Sequence, residues 1–273
     1  MKEKKLPLLD RPFRLATTSF IYPDHILPNV RKIGAWFDEI ELLVFESQPK
    51  EVLPSRTEVR ELGQLAQDLD LSYNIHLPTD ISLTDPSGTQ RAKAVDTLTG
   101  VMELFASLTP TTFTLHLPMD RGVATREDLA AWENRAKKGL ELLVPRLADP
   151  GLISLETLWY APACLQPLVE EFDLSLCIDA GHHFKYGHDL KTTFGAYADR
   201  IPVVHLHGVD FSGPTPKDHT RLDRLPDELF HLTTDLLSTY EGTVSLEVFN
   251  LENLNRSLAK LSRVFCNIPT LDA

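Results

Sequence analysis

The chain contains no apolar run near the ~20 residues that a helix needs to cross a bilayer, so no segment reads as a membrane span. Its first nine residues (MKEKKLPLL) are basic but lack the apolar core and cleavage site of a signal peptide. Cysteine is scarce: Cys164, Cys177 and Cys266 are an odd number and show no CxxC spacing. They read as small buried hydrophobes in a reducing compartment, which places the protein in the cytoplasm. Cations are also in deficit, with 27 Lys and Arg against 39 Asp and Glu and a net charge of −12. Nucleic-acid affinity comes largely from cation contacts to phosphates. No stripe of Lys and Arg interleaved with aromatics is present, so a long DNA footprint is not expected. No low-complexity tract or flexible linker divides the sequence. Residues 1–273 read as one domain, with residues 1–12 as a flexible lead.

What is present is an ordinary core-forming composition, 42% hydrophobic and 24% charged. Short apolar runs alternate with amphipathic stretches along the chain. Strands are expected at 14–18, 41–45, 72–76, 112–116, 152–156, 175–179, 202–207 and 243–248. Helices are expected at 24–33, 56–69, 89–108, 126–147, 163–171, 189–198 and 226–240. In 56–69, Val59, Leu62, Leu65, Ala66 and Leu69 recur on one face. Thr125 is placed as N-cap with Asp128 three positions on. Parallel strands need crossover helices, and strands apolar on both faces belong in a covered sheet. A chain of 273 residues also suits one β/α barrel of about 250 residues. The expected fold class is therefore α/β, a single (β/α)8 TIM barrel.

Seven acidic or histidine side chains stand at the ends of these runs. They are His76 (YNIHLP), His116 (FTLHLP), Glu156 (LISLET), Asp179 with His182 (LCIDAGHH), His205 (VVHLHG) and Glu247 (VSLEVF). The intervals from His76 to His116, Glu156, Asp179, His205 and Glu247 are 40, 40, 23, 26 and 42 residues, each about one strand-plus-helix unit. Side chains alternate faces along a strand, so each strand-end group shares a face with the residue two before it. Those residues are Asn74, Thr114, Ser154, Cys177, Val203 and Ser245; all but Val203 are small or polar, as a narrow polar interior requires. This is the pattern of a metal site at the C-terminal face of a barrel.

The phrase CIDAGHHFKYG resembles the D-x-G-H signature after strand six of the AP-endonuclease and xylose-isomerase-like barrel superfamily. VVHLHG resembles its strand-seven His motif and SLEV its closing Glu; the likeness runs from His76 to Glu247. Within that superfamily, TTSFIYPDHILPNV, IELLVFES, YNIHLP, TLHLP, KDHTRL and SLEVFN resemble the cobamide-remodelling phosphodiesterases. Those enzymes cut the nucleotide loop of a complete corrinoid at its phosphoester. The resemblance implies Glu156, Asp179, His205 and Glu247 as central metal ligands, with His76, His116 and His219 as further ones. It makes His182 the His of D-x-G-H, a catalytic residue together with Glu156 and Glu247. DNA-repair members carry Asp-x-His where this chain reads Lys217-Asp218-His219. That departure points to one or two ions instead of three.

Carboxylates with imidazoles and no thiolate pair suit a divalent ion such as Zn or Mn. A phosphodiester needs an activated water and neutralised phosphorus oxygens, whereas a sugar isomerase needs one ion and two proton-shuttling carboxylates, here Glu156 and Glu247. His76 and His116 favour the first. An AP-endonuclease-like nuclease and a barrel that only binds a ligand are the other readings. His207 shares the face of His205 and reads either as a phosphate or metal contact or as a wall residue. Glu46 reads either as part of the site or as a group orienting His76. Lys217 and Arg221, in the long 210–223 loop, are the cations assigned to a substrate phosphate. Trp159 and Tyr186 are assigned to a broad apolar substrate, in a rim that also counts Phe20, Tyr22, Tyr160, Phe184, Phe211 and Phe249; loop packing is the alternative. The expected partner is a small corrinoid phosphodiester, with no nucleic acid and no membrane.

Overall fold

Strands of three to five residues, apolar on the side that meets the helices, alternate with helices laid around them. The computed structural model describes residues 11–47, 52–120 and 125–271. In chain order, β1 (Arg14–Thr18), α1 (Ile26–Ile33), β2 (Glu39–Leu43), α2 (Arg56–Leu69), β3 (Ser72–His76), α3 (Gly88–Phe105), β4 (Phe113–Leu115) and α4 (Arg126–Leu143) form the first half. The second half runs β5 (Ile153–Glu156), α5 (Gln166–Phe172), β6 (Ser175–Asp179), α6 (Ala180–Tyr186), α7 (Leu190–Ala196), β7 (Val203–Leu206), β8 (Gly208–Asp210), β9 (Lys217–Thr220), α8 (Asp227–Leu237), β10 (Thr243–Leu246) and α9 (Leu251–Leu261). Strands β1 to β7 and β10 pair in parallel and close, β10 returning to β1. The chain is a TIM barrel, as its alternation predicts.

Helix starts follow from side-chain chemistry. Ser55 and Glu58 form a capping box on α2, and Thr125 and Asp128 form one on α4, each satisfying two orphan N–H groups. Outward strand residues such as Leu15, Ile40, Ile75, Leu155, Ile178, Val204 and Leu246 are buried beneath the helices. The inner face is polar instead, with Glu39, Glu41, Asn74, Thr114, Ser154, His205 and Ser245 all buried. At the N-terminal end of the barrel Glu39 accepts hydrogen bonds from Asn74 (2.7 Å), Ser72 (2.8 Å) and Thr111 (3.0 Å) and faces Arg14 at 3.1 Å. A buried carboxylate is tolerated only when satisfied in this way.

Several elements differ from expectation. β2 begins and ends two residues earlier, because Glu39 and Glu41 point into the polar interior. α6 was not foreseen; its seven residues are capped by Asp179, whose carboxylate accepts the His182 N–H at 2.7 Å. Part of the 210–223 loop is an antiparallel hairpin, β8–β9, outside the barrel. Of the expected lead, residues 1–10 lie outside the described residues, while Arg11 is buried and pairs with Asp38 at 2.6 Å. All three cysteines are free, but only Cys177 is fully buried and Cys266 is exposed. Among the described residues, no helix is long and apolar enough to cross a membrane.

Two helical glycines give opposite expectations for one substitution. A Cβ on Gly139 in α4 would lie 2.5 Å from the Leu83 carbonyl oxygen, whereas one on Gly100 in α3 would meet nothing within 4 Å. Gly100→Ala should stabilise by about 0.5–1 kcal/mol through helix propensity. Gly139→Ala should destabilise by about 1–3 kcal/mol through overpacking. Urea unfolding of both variants checks this, and a common sign would contradict it.

Candidate metal centre

The C-terminal ends of β3, β5, β6, β7 and β10, with the segment after β4, converge on one carboxylate. Glu156 Oε2 lies 2.8 Å from His116 Nε2, 3.2 Å from His76 Nε2 and 3.7 Å from His205 Nδ1; Glu156 Oε1 is 3.5 Å from His182 Nδ1. His76 Nδ1 sits 3.0 Å from the Leu77 carbonyl. A carbonyl only accepts, so the ring proton belongs on Nδ1 and Nε2 is the ligand-type atom, the usual arrangement behind a metal-binding histidine. His182 Nδ1 meets the Thr157 carbonyl at 3.1 Å in the same way, turning its Nε2 to the barrel mouth.

Among the described residues, five groups of donors fall within metal-binding span, every ligand atom of a group lying within 4.8 Å of the others; two of them, Glu156 with Cys177 and His205, and Glu41 with His76 and Glu247, overlap the remaining three. Those three are His76, His116 and Glu156; Glu156, Asp179, His205 and Glu247; and His182, His207 and His219. The residues fit a divalent cation on an independent observation. His205 Nδ1 and Nε2, Glu41 Oε1 and Glu247 Oε2 are buried and make no hydrogen bond, although His205 approaches Glu247 at 3.3 Å and Glu41 at 3.2 Å. Buried polar atoms are ordinarily satisfied, and a cation satisfies such lone pairs. The donor set of imidazoles and carboxylates suits a divalent transition-metal ion.

The structure brings together His76, His116, Glu156, Asp179, His182, His205 and Glu247, which stood out as strand-end groups, and His219, which the family resemblance implied. His207 belongs with them: its Nε2 is 3.0 Å from Asp179, and its Nδ1 lies 3.0 Å from the His219 backbone nitrogen and 3.2 Å from the Gly208 carbonyl. Gly181 explains how it fits, since a Cβ there would lie 2.0 Å from the His207 ring. His219 is held at φ +48°, an uncommon conformation for a non-glycine residue and one that clusters at functional sites. Asp218 stands outside the three groups, with its Oδ2 3.8 Å from His182 Nε2 and 2.5 Å from Lys185 Nζ.

Other assignments move. Glu46 is exposed; of the two strand-two carboxylates in the interior, the one that reaches this site is Glu41, which accepts from Ser245 and faces His205. The spacing Glu39-x-Glu41 inside an apolar run was the signal for it. Lys217 is exposed at the start of β9, and the Arg221 guanidinium is engaged by Asp223 (2.9 Å) and Glu252 (3.3 Å). Trp159 is half-buried edge-to-face on Tyr160, and Tyr160 is a core residue that donates to the Leu117 carbonyl. Tyr186 is half-buried, its ring centroid 6.1 Å from that of His182. The aromatic group that borders the site is Phe20, Phe45 and Phe249, stacked edge-to-face, with Phe249 against His219.

A model of the xylose isomerase-like TIM barrel family (AP endonuclease 2) matches residues 27–265. A probable endonuclease 4 of Aster yellows witches'-broom phytoplasma is 28% identical over 181 residues, 60% of this chain. The match spans 61% of that endonuclease's length. Among solved structures, a D-tagatose 3-epimerase-like protein superposes with a TM-score of 0.69 at 16% identity, over 92% of this chain and 97% of its own. The IolI protein with a bound zinc atom gives 0.70 at 12% identity, over 95% and 100%. At these identities the structures show a shared fold.

The charges of the metal-free site set a pH window. Burial alone would raise Glu247, but His219 and His205 outweigh it and hold the carboxyl at about 2, below its ordinary 4.5. Burial alone would lower His207, but Asp179 outweighs it and lifts the imidazole to about 9, above its ordinary 6.5. The first contribution is complete above pH 4.5 and lost as pH falls towards 2; the second is complete below 6.5 and lost as pH rises through 9. Metal-stripped protein should therefore melt highest between about pH 4.5 and 6.5. Divalent metal should raise the melting temperature most above pH 7, because ion and proton compete for the same imidazoles. Thermal scans across pH, with chelator and with metal, check this; a metal effect absent above pH 7 would contradict it.

Proposed function

The chain belongs to the xylose isomerase-like TIM barrel family, and on that premise we propose that it is a metal-dependent phosphodiesterase hydrolysing the nucleotide-loop phosphoester of cobamides. The observation that carries the reading is the pair His76 and His116 on Glu156, added to the group Glu156, Asp179, His205 and Glu247. The four-residue group would hold one divalent ion, Zn or Mn, and the two histidines a second, with Glu156 shared. His182, His207 and His219 offer a further position. Such ions, when bound, supply Lewis acidity towards the phosphoryl group and a water nucleophile near neutral pH.

The chain's own residues supply position and proton handling. Glu41 lies 3.2 Å from His205 Nε2, on the side of the ring away from Glu247 and Glu156, and would orient that ring when an ion is held at Nδ1. His182 is anchored through Nδ1 on the Thr157 carbonyl, which fixes its ring and leaves Nε2 to face a ligand. Glu247, with Oε2 buried and unbonded, is the carboxylate on which both ligation and turnover are expected to depend. Support for a large, partly apolar substrate comes from Phe20, 41% exposed, and from the cleft of about 580 Å³ that it lines with Phe45 and Ile26. Pockets of this size hold a sizeable fragment of a ligand. The net charge of −12 does not suit a polynucleotide.

A second reading, a sugar isomerase or epimerase, is favoured by the likeness to the D-tagatose 3-epimerase-like structure. There Glu156 and Glu247 would move the proton around one ion, and His76 and His116 would have no part in the chemistry.

Metal-loaded protein incubated with adenosylated cobalamin should release the lower-ligand nucleoside and a phosphorylated corrinoid, read by mass spectrometry. Glu247→Gln should lower metal content and reduce turnover by at least a hundredfold with the fold intact. His116→Ala should slow hydrolysis of a bis-aryl phosphate. Phe20→Ala should weaken corrinoid binding and leave that small diester unaffected, because lost stacking area touches only the large ligand. Ketose interconversion without diester cleavage would establish the second reading. Salt-sensitive nicking of abasic DNA would establish an endonuclease.

A further inference from the structure

An anionic diester that binds at the barrel mouth meets a protein with few available cations there. Lys217 is exposed on the hairpin, and Arg221 is engaged by Asp223 and Glu252. Lys185 is placed differently. It lies three residues after His182 on α6, so the two side chains are neighbours on one helix face. Its side chain is 18% exposed, with Nζ 2.5 Å from Asp218 Oδ2 and 5.3 Å from the centroid of the Tyr186 ring. Asp218 Oδ2 is in turn 3.8 Å from His182 Nε2, so one carboxylate bridges the ammonium to the candidate ligand cluster. Three N–H groups belong to an ammonium. Asp218 accepts from one, and donors remain for an anion without breaking the pair.

We propose that Lys185 recognises the substrate's phosphodiester, donating to a non-bridging phosphate oxygen while Asp218 positions it, and so selects anionic over neutral substrates. This inference rests on the phosphodiesterase reading. It adds a residue that belongs to none of the three donor groups, and no bond is made or broken at Lys185. A purely structural role is the rival: the pair also ties β9 to α6, and β9 carries His219.

Lys185→Met keeps the stem against Tyr186 and removes the charge. In manganese-loaded protein it should bind inorganic phosphate ten- to a hundredfold more weakly by calorimetry, the loss expected for one hydrogen bond to a charged group. Metal content should be unchanged, and KM for a bis-aryl phosphate should rise more than kcat falls. Lys185→Arg, which keeps the charge, should restore phosphate affinity to within about fivefold. In wild-type protein labelled with 15N-lysine, the ammonium resonance that Lys185→Arg abolishes should shift on phosphate titration, a measurement that needs no stable neutral variant. Phosphate affinity unchanged in Lys185→Met would overturn the inference, as would a loss fully accounted for by released metal. Wild type that binds phosphate through Lys185 yet cleaves no diester would support this inference while removing the phosphodiesterase. Wild type that cleaves the diester with Lys185 indifferent to phosphate would do the reverse.

Discussion

Glu156 is a carboxylate 1% exposed to solvent, facing His76, His116, His182 and His205 at 2.8 to 3.7 Å. Burial opposes its charge, yet His116, His76 and His205 together hold its carboxyl well below the usual range. Isolated, such an anion would be among the costliest groups a protein could bury. The imidazoles around it come from separate strands or the segments that follow them, His76 on β3, His205 on β7, His116 just after β4 and His182 on α6, and a closed parallel sheet brings those ends together. Its register sets His205 beside Asp179 and Ser245 beside His205. The barrel is in this sense a device for surrounding one carboxylate with nitrogen donors.

The same constraint accounts for the polar interior below the site. Buried carboxylates continue down the inner face, where Ser245 donates to Glu41 and Asn74 to Glu39. It also accounts for features outside the barrel. The β8–β9 hairpin folds back over the mouth so that His219 reaches His207, and Gly181 opens the space the His207 ring fills. Lys185 and Asp218 tie that hairpin to α6.

Period and parity are strong signals, and they made the barrel legible. Strands ending at His76, Glu156 and Asp179 fall where alternation places them, and Thr125 caps α4 as its chemistry predicts. The second strand was harder. Its apolar run continues past the barrel, so a window on Glu41–Phe45 selects Glu46, which is exposed, over Glu41, which is buried. A carboxylate that breaks an apolar run is the better guide than one that ends it. Cation partners were not legible at all. Whether Arg221 is engaged by Asp223 and Glu252, or Lys185 reaches Asp218, depends on how a hairpin and a seven-residue helix meet. Neither element has a period long enough to read. The rim suffered likewise: Tyr160 looks like a mouth residue in sequence, but its ring packs on Trp132 in the core.

The central claim is that Glu156 is shared between two ions. Anomalous diffraction at a metal edge, on crystals of protein loaded with Zn or Mn, tests it directly when paired with elemental analysis of the same sample. The account predicts at least two anomalous peaks per chain, one among Glu156, Asp179, His205 and Glu247 and another between His76 and His116, both bordering Glu156. A single peak in the four-residue group, with His76 and His116 bound to nothing but Glu156, would contradict it.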